Sequence, residues 1–153
     1  MKRIISLMMM MAVVLMAAAD NKFPEYDITG AGSGTEGTIL VKVYVYGKKV
    51  SDADLERAAV HGVVFRGCSG NASGARQPAM APVTAETDHA DFCEAFFAED
   101  GDCQHFASIV NGSYERVKTK KGYKVGVIVQ VDKANLRKTL EAAGVVRPLN
   151  SGF

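Results

Sequence analysis

The sequence predicts an α+β domain, a small, mostly antiparallel sheet of three to four strands with about three helices packed on one face. Two ladders at period two carry the sheet: Ile39, Val41, Val43 and Val45 in one segment, and Val125, Val127, Val129 and Val131 in another. β-Branched side chains at alternate positions are what a half-buried strand needs. Segments with apolar residues at helical spacing lie between and after the ladders, two of them opened by capping residues. The order is strand, helix, loop, helix, an ambiguous segment, strand, strand and helix. Helices on one face of an antiparallel sheet fit that order best.

Residues 1–19 of the 153 are expected to precede the domain as a signal peptide. Met1-Lys2-Arg3 is a positive start, residues 4–16 are a mainly apolar run, and Ala17 and Ala19 stand at −3 and −1 of a cut before Asp20. The apolar run is too short for a membrane-spanning helix of ~20 residues. No cysteine follows the cut, so no lipid anchor is expected. In the 134 residues that remain, 153 less 19, Lys and Arg fall from 18 to 16 against 17 acids, a net charge of −1. A near-neutral chain argues against nucleic acid as a partner. Nothing after the cut is long enough to cross a bilayer, and one domain over residues 20–153 is the default at this length.

Residues 21–37 are polar and Gly-rich and read as a flexible lead-in. Residues 38–46 are the clearest strand, with Leu40, Lys42, Tyr44 and Tyr46 opposite the apolar ladder, closed by Gly47-Lys48-Lys49. Ser51-Asp52-Ala53-Asp54 is a capping sequence. Leu55, Ala58, Ala59, Gly62 and Val63 then give a narrow face of small residues, suited to close approach against a sheet. Val63-Val64-Phe65 either continues that helix or forms a short buried strand. Residues 67–83 are the longest irregular stretch. Residues 85–97 read as helical, with Phe92, Cys93, Phe96 and Phe97 on one side, broken by Asp100-Gly101-Asp102. Residues 103–110 are apolar and of ambiguous type. Residues 114–119 and 123–131 are strands joined by a Lys120-Lys121-Gly122 turn. Asp132 caps a helix carrying Leu136, Leu140 and Ala143, and Gly144 stops it.

Candidate chemistry is sparse. The Gly30-Ala31-Gly32-Ser33-Gly34 run lacks the preceding strand and following helix of a phosphate cradle. Cys68, Cys93 and Cys103 cannot all pair internally; Cys93 and Cys103 form the nearest candidate disulfide, against the favoured reading of small buried hydrophobes. His89, Cys93, Cys103 and His105 are a candidate tetrahedral zinc set, again weighed against core packing. Glu86, Asp88, Asp91, Glu94, Glu99, Asp100 and Asp102 have no Lys or Arg among them and read as a solvated face, without calcium-loop spacing. Arg116, Lys118, Lys120, Lys121 and Lys124 gather at the C-terminal hairpin, with Arg116, Lys118 and Lys120 expected on one outward face. They are the candidate partner-binding residues, set against a lysine-rich edge that only keeps the strand soluble. Ser69, Ser73, Ser108 and Ser113 sit in no nucleophile elbow, and Cys68 with His61 makes at most a thiol pair lacking a third partner. No catalytic residue and no cofactor is expected.

The run Tyr26-Asp27-Ile28-Thr29-Gly30-Ala31-Gly32-Ser33-Gly34, the Ala-rich helix, and Tyr123-Lys124-Val125-Gly126-Val127-Ile128-Val129 followed by residues 132–144 resemble a family of small exported bacterial proteins known as a domain of unknown function. More distantly they resemble the α/β domain of flagellar assembly protein T and of lipoproteins that accompany curli-type secretion channels. The chain departs from those lipoproteins in lacking their lipidated cysteine. Neither resemblance brings catalytic residues. Together these readings imply an exported, non-enzymatic binding or assembly module of the bacterial cell envelope, periplasmic or extracellular, whose partner is an envelope protein or an anionic surface. The alternative is a small-molecule or metal-dependent activity centred on the 67–83 loop and the His89–His105 cluster.

Overall fold

The two ladders lie side by side. In the computed structural model, which describes residues 23–70 and 76–150, Val41, Val43 and Val45 stand opposite Val129, Val127 and Val125. Ile39 stands opposite Val131. Paired β-branched residues on one face are the unit of sheet stabilisation, and all of these valines are buried. The expected leader, its cut at Asp20, and Ser73 lie outside the described residues.

Among those residues the elements are β1 (Tyr26–Ser33), β2 (Thr38–Gly47), α1 (Asp52–His61), α2 (Ala85–Asp88), α3 (Ala90–Phe96), β3 (Ala107–Ile109), β4 (Glu115–Thr119), β5 (Gly122–Asp132) and α4 (Lys133–Ala142). The sheet is antiparallel, in the order β1-β2-β5, with β3 and β4 sharing the far edge of β5. That sharing is possible because β5 is 11 residues long. β4 takes its first half and β3 its second. The fold is therefore α+β, with the helices against one face.

α1 forms as its sequence predicts. The Ser51 hydroxyl accepts from the Asp54 N–H at 3.2 Å, while the Asp54 carboxylate accepts from the Ser51 N–H at 3.0 Å. This capping box satisfies two otherwise orphaned donors. Leu55, Ala58 and Ala59 then bury against the valines. A Cβ at Gly62 would lie 2.6 Å from Ile28 Cδ1, so the small-residue face does allow a close approach, here to β1. Val63-Val64-Phe65 continues the helix as a π turn over Gly62–Arg66 rather than forming a strand. Gly67, at φ +67°, ends it, and a Cβ there would meet the Gln77 carbonyl at 2.6 Å. In α4, Asp132 accepts from the Asn135 N–H at 3.1 Å, and Leu136 and Leu140 are fully buried.

Two expectations are corrected and one open segment is resolved. The Gly-rich lead-in is the edge strand β1, kinked by a bulge between Gly30 and Gly32. Glycine weakens strand propensity, and pairing with β2 overrides it here. The 85–97 helix breaks at His89, where φ −120° and ψ 39° leave the helical region, giving α2 and α3. The ambiguous 103–110 segment is a 3-10 turn over Asp102–Phe106 followed by β3. No helix among the described residues is long and apolar enough to cross a membrane.

Candidate functional site

The basic hairpin is larger in space than in sequence. Arg116 stands opposite Val125 and Lys118 opposite Tyr123, so these two share a face, and the Arg116 guanidinium lies 3.9 Å over the Tyr123 ring. Lys120 and Lys121 are the turn itself, not part of that face, because the ladder closes at Thr119 and Gly122. Lys124 points to the other face, 4.4 Å from the Tyr44 ring. A Cβ on Gly122 would come within 2.6 Å of the Gly47 carbonyl, so the hairpin end abuts the turn after β2. Lys48 and Lys49 therefore join the cluster, which sequence spacing had not linked to the hairpin. Among the described residues none of Lys48, Lys49, Arg116, Lys118, Lys120 and Lys121 forms a salt bridge. A shallow cleft between the two turns is lined by Tyr46, Lys120 and Lys121, with Glu25 the one acid.

The uncovered face of the sheet is internally paired. Lys42 Nζ donates to Glu115 Oε1 at 2.7 Å, the Tyr44 hydroxyl donates to Glu115 Oε2 at 3.1 Å, and the Tyr46 hydroxyl donates to Asp27 Oδ2 at 2.7 Å. The hydrogen bond from Lys42 holds the Glu115 carboxyl below its usual range, with Tyr44 adding to it.

A second site surrounds His61, the only buried residue outside the apolar and aromatic types among those described. Its ring stacks on Phe23 at 4.4 Å and lies 5.2 Å from Phe97. Burying a polar ring is costly unless its nitrogens find partners, and both do. Nε2 lies 3.0 Å from Glu86 Oε1, and Nδ1 lies 2.6 Å from the hydroxyl of buried Tyr26. A carboxylate only accepts, so Nε2 carries the hydrogen and the Tyr26 hydroxyl donates to Nδ1. Burial pushes the His61 pKa down, against the opposing pull of Glu86. Burial likewise pushes the Tyr26 hydroxyl pKa up. The ring opens on a cavity of about 300 Å³ lined also by Arg57, Cys93 and Glu94.

The proposed zinc set does not assemble. Cys103 is fully buried, whereas the His105 side chain is 78% exposed and faces Asp102 at 3.8 Å. A strand would bring both to one face; the 3-10 turn they occupy sends positions two apart in different directions. Cys93 lines the His61 cavity and His89 a separate depression beside Arg137 and Gly144. Among the described residues no three His, Cys, Asp or Glu side chains converge to hold a metal. Nor do Cys93 and Cys103 bridge; all three cysteines are buried free thiols. Burial raises each thiol pKa, that of Cys103 to about 11.

His61 pairs with Tyr26 and Glu86, with no bond to Cys68. Backbone bonds between Cys68 and Gln77 close the neck of the 67–83 loop. Ser113 is structural: its hydroxyl donates to the Val110 carbonyl at 2.6 Å and accepts from the Ile128 N–H at 3.0 Å. The seven acids of the 86–102 segment are solvent-exposed as expected, with Glu86 the one that also serves a buried partner. No protein-family model, curated protein or solved structure matches the chain.

Proposed function

We propose that the protein is an exported, non-enzymatic binding module of the bacterial cell envelope that docks through the basic end of its sheet onto an acidic envelope partner or anionic surface. The observation that carries this reading is the meeting of the Lys48-Lys49 and Lys120-Lys121 turns, with Arg116 and Lys118 in the strand beside them and Glu25 the one acid lining the cleft. Six cations without a salt-bridge partner among the described residues form a surface whose attraction is long-ranged and salt-sensitive. The positive start, apolar run and Ala17-x-Ala19 site support export.

The test is reversal of Lys118, Lys120 and Lys121 to Glu. The triple variant is expected to lose capture of envelope material at low salt while keeping its thermal midpoint, since all three side chains are exposed. Wild-type capture should weaken steeply toward physiological salt, where the screening length is ~8 Å. Equal capture by the triple variant would leave the hairpin as a solubilising edge. N-terminal sequencing of the native protein should begin at Asp20; retained Met1 would remove the export half of the reading.

A further inference from the structure

We propose that the cavity between α1 and α3 binds a small organic cation, a primary ammonium on a short apolar stem. The cavity follows from two helical stripes. Ala90, Cys93, Glu94 and Phe97 recur at i, i+3, i+4 and i+7, and Arg57 and His61 at i and i+4, so each set lies on one face. Those faces, with Phe23 and Glu86, line an open cavity of about 300 Å³, the lower end of small-molecule sites.

Charge selects the ligand. Arg57 is already engaged: Nε donates to the Phe97 carbonyl at 2.8 Å, Nη1 reaches Asp54 at 3.4 Å, and the guanidinium lies over the Phe23 ring. His61 is kept neutral by burial, and the raised pKa of Cys93 keeps it a thiol. What faces the cavity unanswered is therefore carboxylate. Glu94 has no hydrogen bond or ion pair among the described residues, and Glu86 commits only Oε1, to His61. The relay from buried Tyr26 through His61 holds Glu86 in place before any ligand arrives, which lowers the ordering cost of binding. Phe23 and Phe97 supply apolar walls for the stem. A metal ion is a poorer occupant, because no three His, Cys or acidic side chains converge among the described residues.

The test compares three probes sharing one five-carbon stem: n-pentylammonium, 1-pentanol and pentanoate, titrated into the full chain. Calorimetry would measure affinity, and the backbone amide resonances of Ala90 and Ala98 would report location. Saturable binding is expected for pentylammonium alone, with shifts at those two amides. Glu94→Gln and Glu86→Gln should each weaken it by about tenfold, the loss of one charge-assisted contact. Glu86→Gln keeps an acceptor for His61 Nε2–H, and Glu94 is exposed, so at least one variant should retain the wild-type thermal midpoint. Absence of saturable binding, equal binding of pentanol, shifts confined to other amides, or undiminished affinity in the folded variants would each overturn the proposal. It does not rest on the basic end of the sheet, and Lys120→Glu with Lys121→Glu should leave pentylammonium binding unchanged.

Discussion

The ring of Tyr44 occupies the space that a side chain at Gly126 would need. The two are cross-strand partners in β2 and β5, and a Cβ at position 126 would fall 2.4 Å from Tyr44 Cε1. Lys124, on the same face, lies over the same ring, and the Tyr44 hydroxyl reaches Glu115 on β4. Gly126 thus lets one tyrosine tie together three strands of the uncovered face.

Replacing Gly126 by Val should displace that ring and cost about 1–3 kcal/mol, the usual penalty for overpacking. In a Tyr44→Ala background the same change should become neutral or stabilising, since valine suits a strand better than glycine. Urea midpoints of the four proteins make the cycle. Additive effects would show that Tyr44 swings aside freely and does not pin the register.

Local signals made much of this fold readable. The valine ladders, the Ser51–Asp54 box and the Asp132 cap each declare themselves within a few residues, because period and capping are short-range properties. β1 did not, since Gly30 and Gly32 suggest a flexible chain and only pairing with β2 places them in a strand. The His61 site was equally hidden. Its partners, Tyr26 and Glu86, lie 35 and 25 residues away, and nothing in the local pattern joins them. The basic cluster was half visible: Lys118, Lys120 and Lys121 are neighbours in sequence, whereas Lys48 and Lys49 join them only through the β2–β5 register.

The free thiols give a direct check on the unbridged core. Cys103 is fully buried, and its pKa is pushed up to about 11, chiefly by that burial. The thiolate is the reacting form. In the native protein at pH 8, iodoacetamide should therefore modify Cys103 more slowly than Cys93, which lines the open cavity. After unfolding in urea without reductant, all three cysteines should react. Uptake at one cysteine only, restored to three by reductant, would establish a disulfide and reverse the assignment.

His61 should make stability depend on pH as the solution is acidified below the ordinary imidazole value of 6.5. Its folded pKa lies below the ordinary value of 6.5, with burial the first cause. The unfolded chain then binds a proton more readily than the folded one, so stability rises with pH. This contribution is fully present above pH ~6.5 and is lost as pH falls through the folded value. His61→Gln offers an acceptor to Tyr26 and a donor to Glu86 without titrating. Its thermal midpoint should fall less than that of wild type on acidification from pH 7.5 to 5.5. Identical falls would assign the acid sensitivity to other groups.

The sharpest consequence of the sheet register concerns Lys48 and Lys49. In sequence they lie far from the hairpin lysines, yet Gly47 pairs with Tyr123 and the Gly122 backbone packs against the Gly47–Lys48 peptide. If docking uses one continuous basic surface, Lys48→Glu with Lys49→Glu should reduce low-salt capture about as much as Lys120→Glu with Lys121→Glu. Each pair changes the charge by the same amount and sits in an exposed turn, so neither should alter the fold. Combining all four should add little once capture is already lost. The salt dependence supplies a second reading, because each double variant should flatten the decline between low and physiological ionic strength. A Lys48/Lys49 variant that captures like wild type, beside a Lys120/Lys121 variant that does not, would confine the contact to the hairpin and exclude the apposed turn.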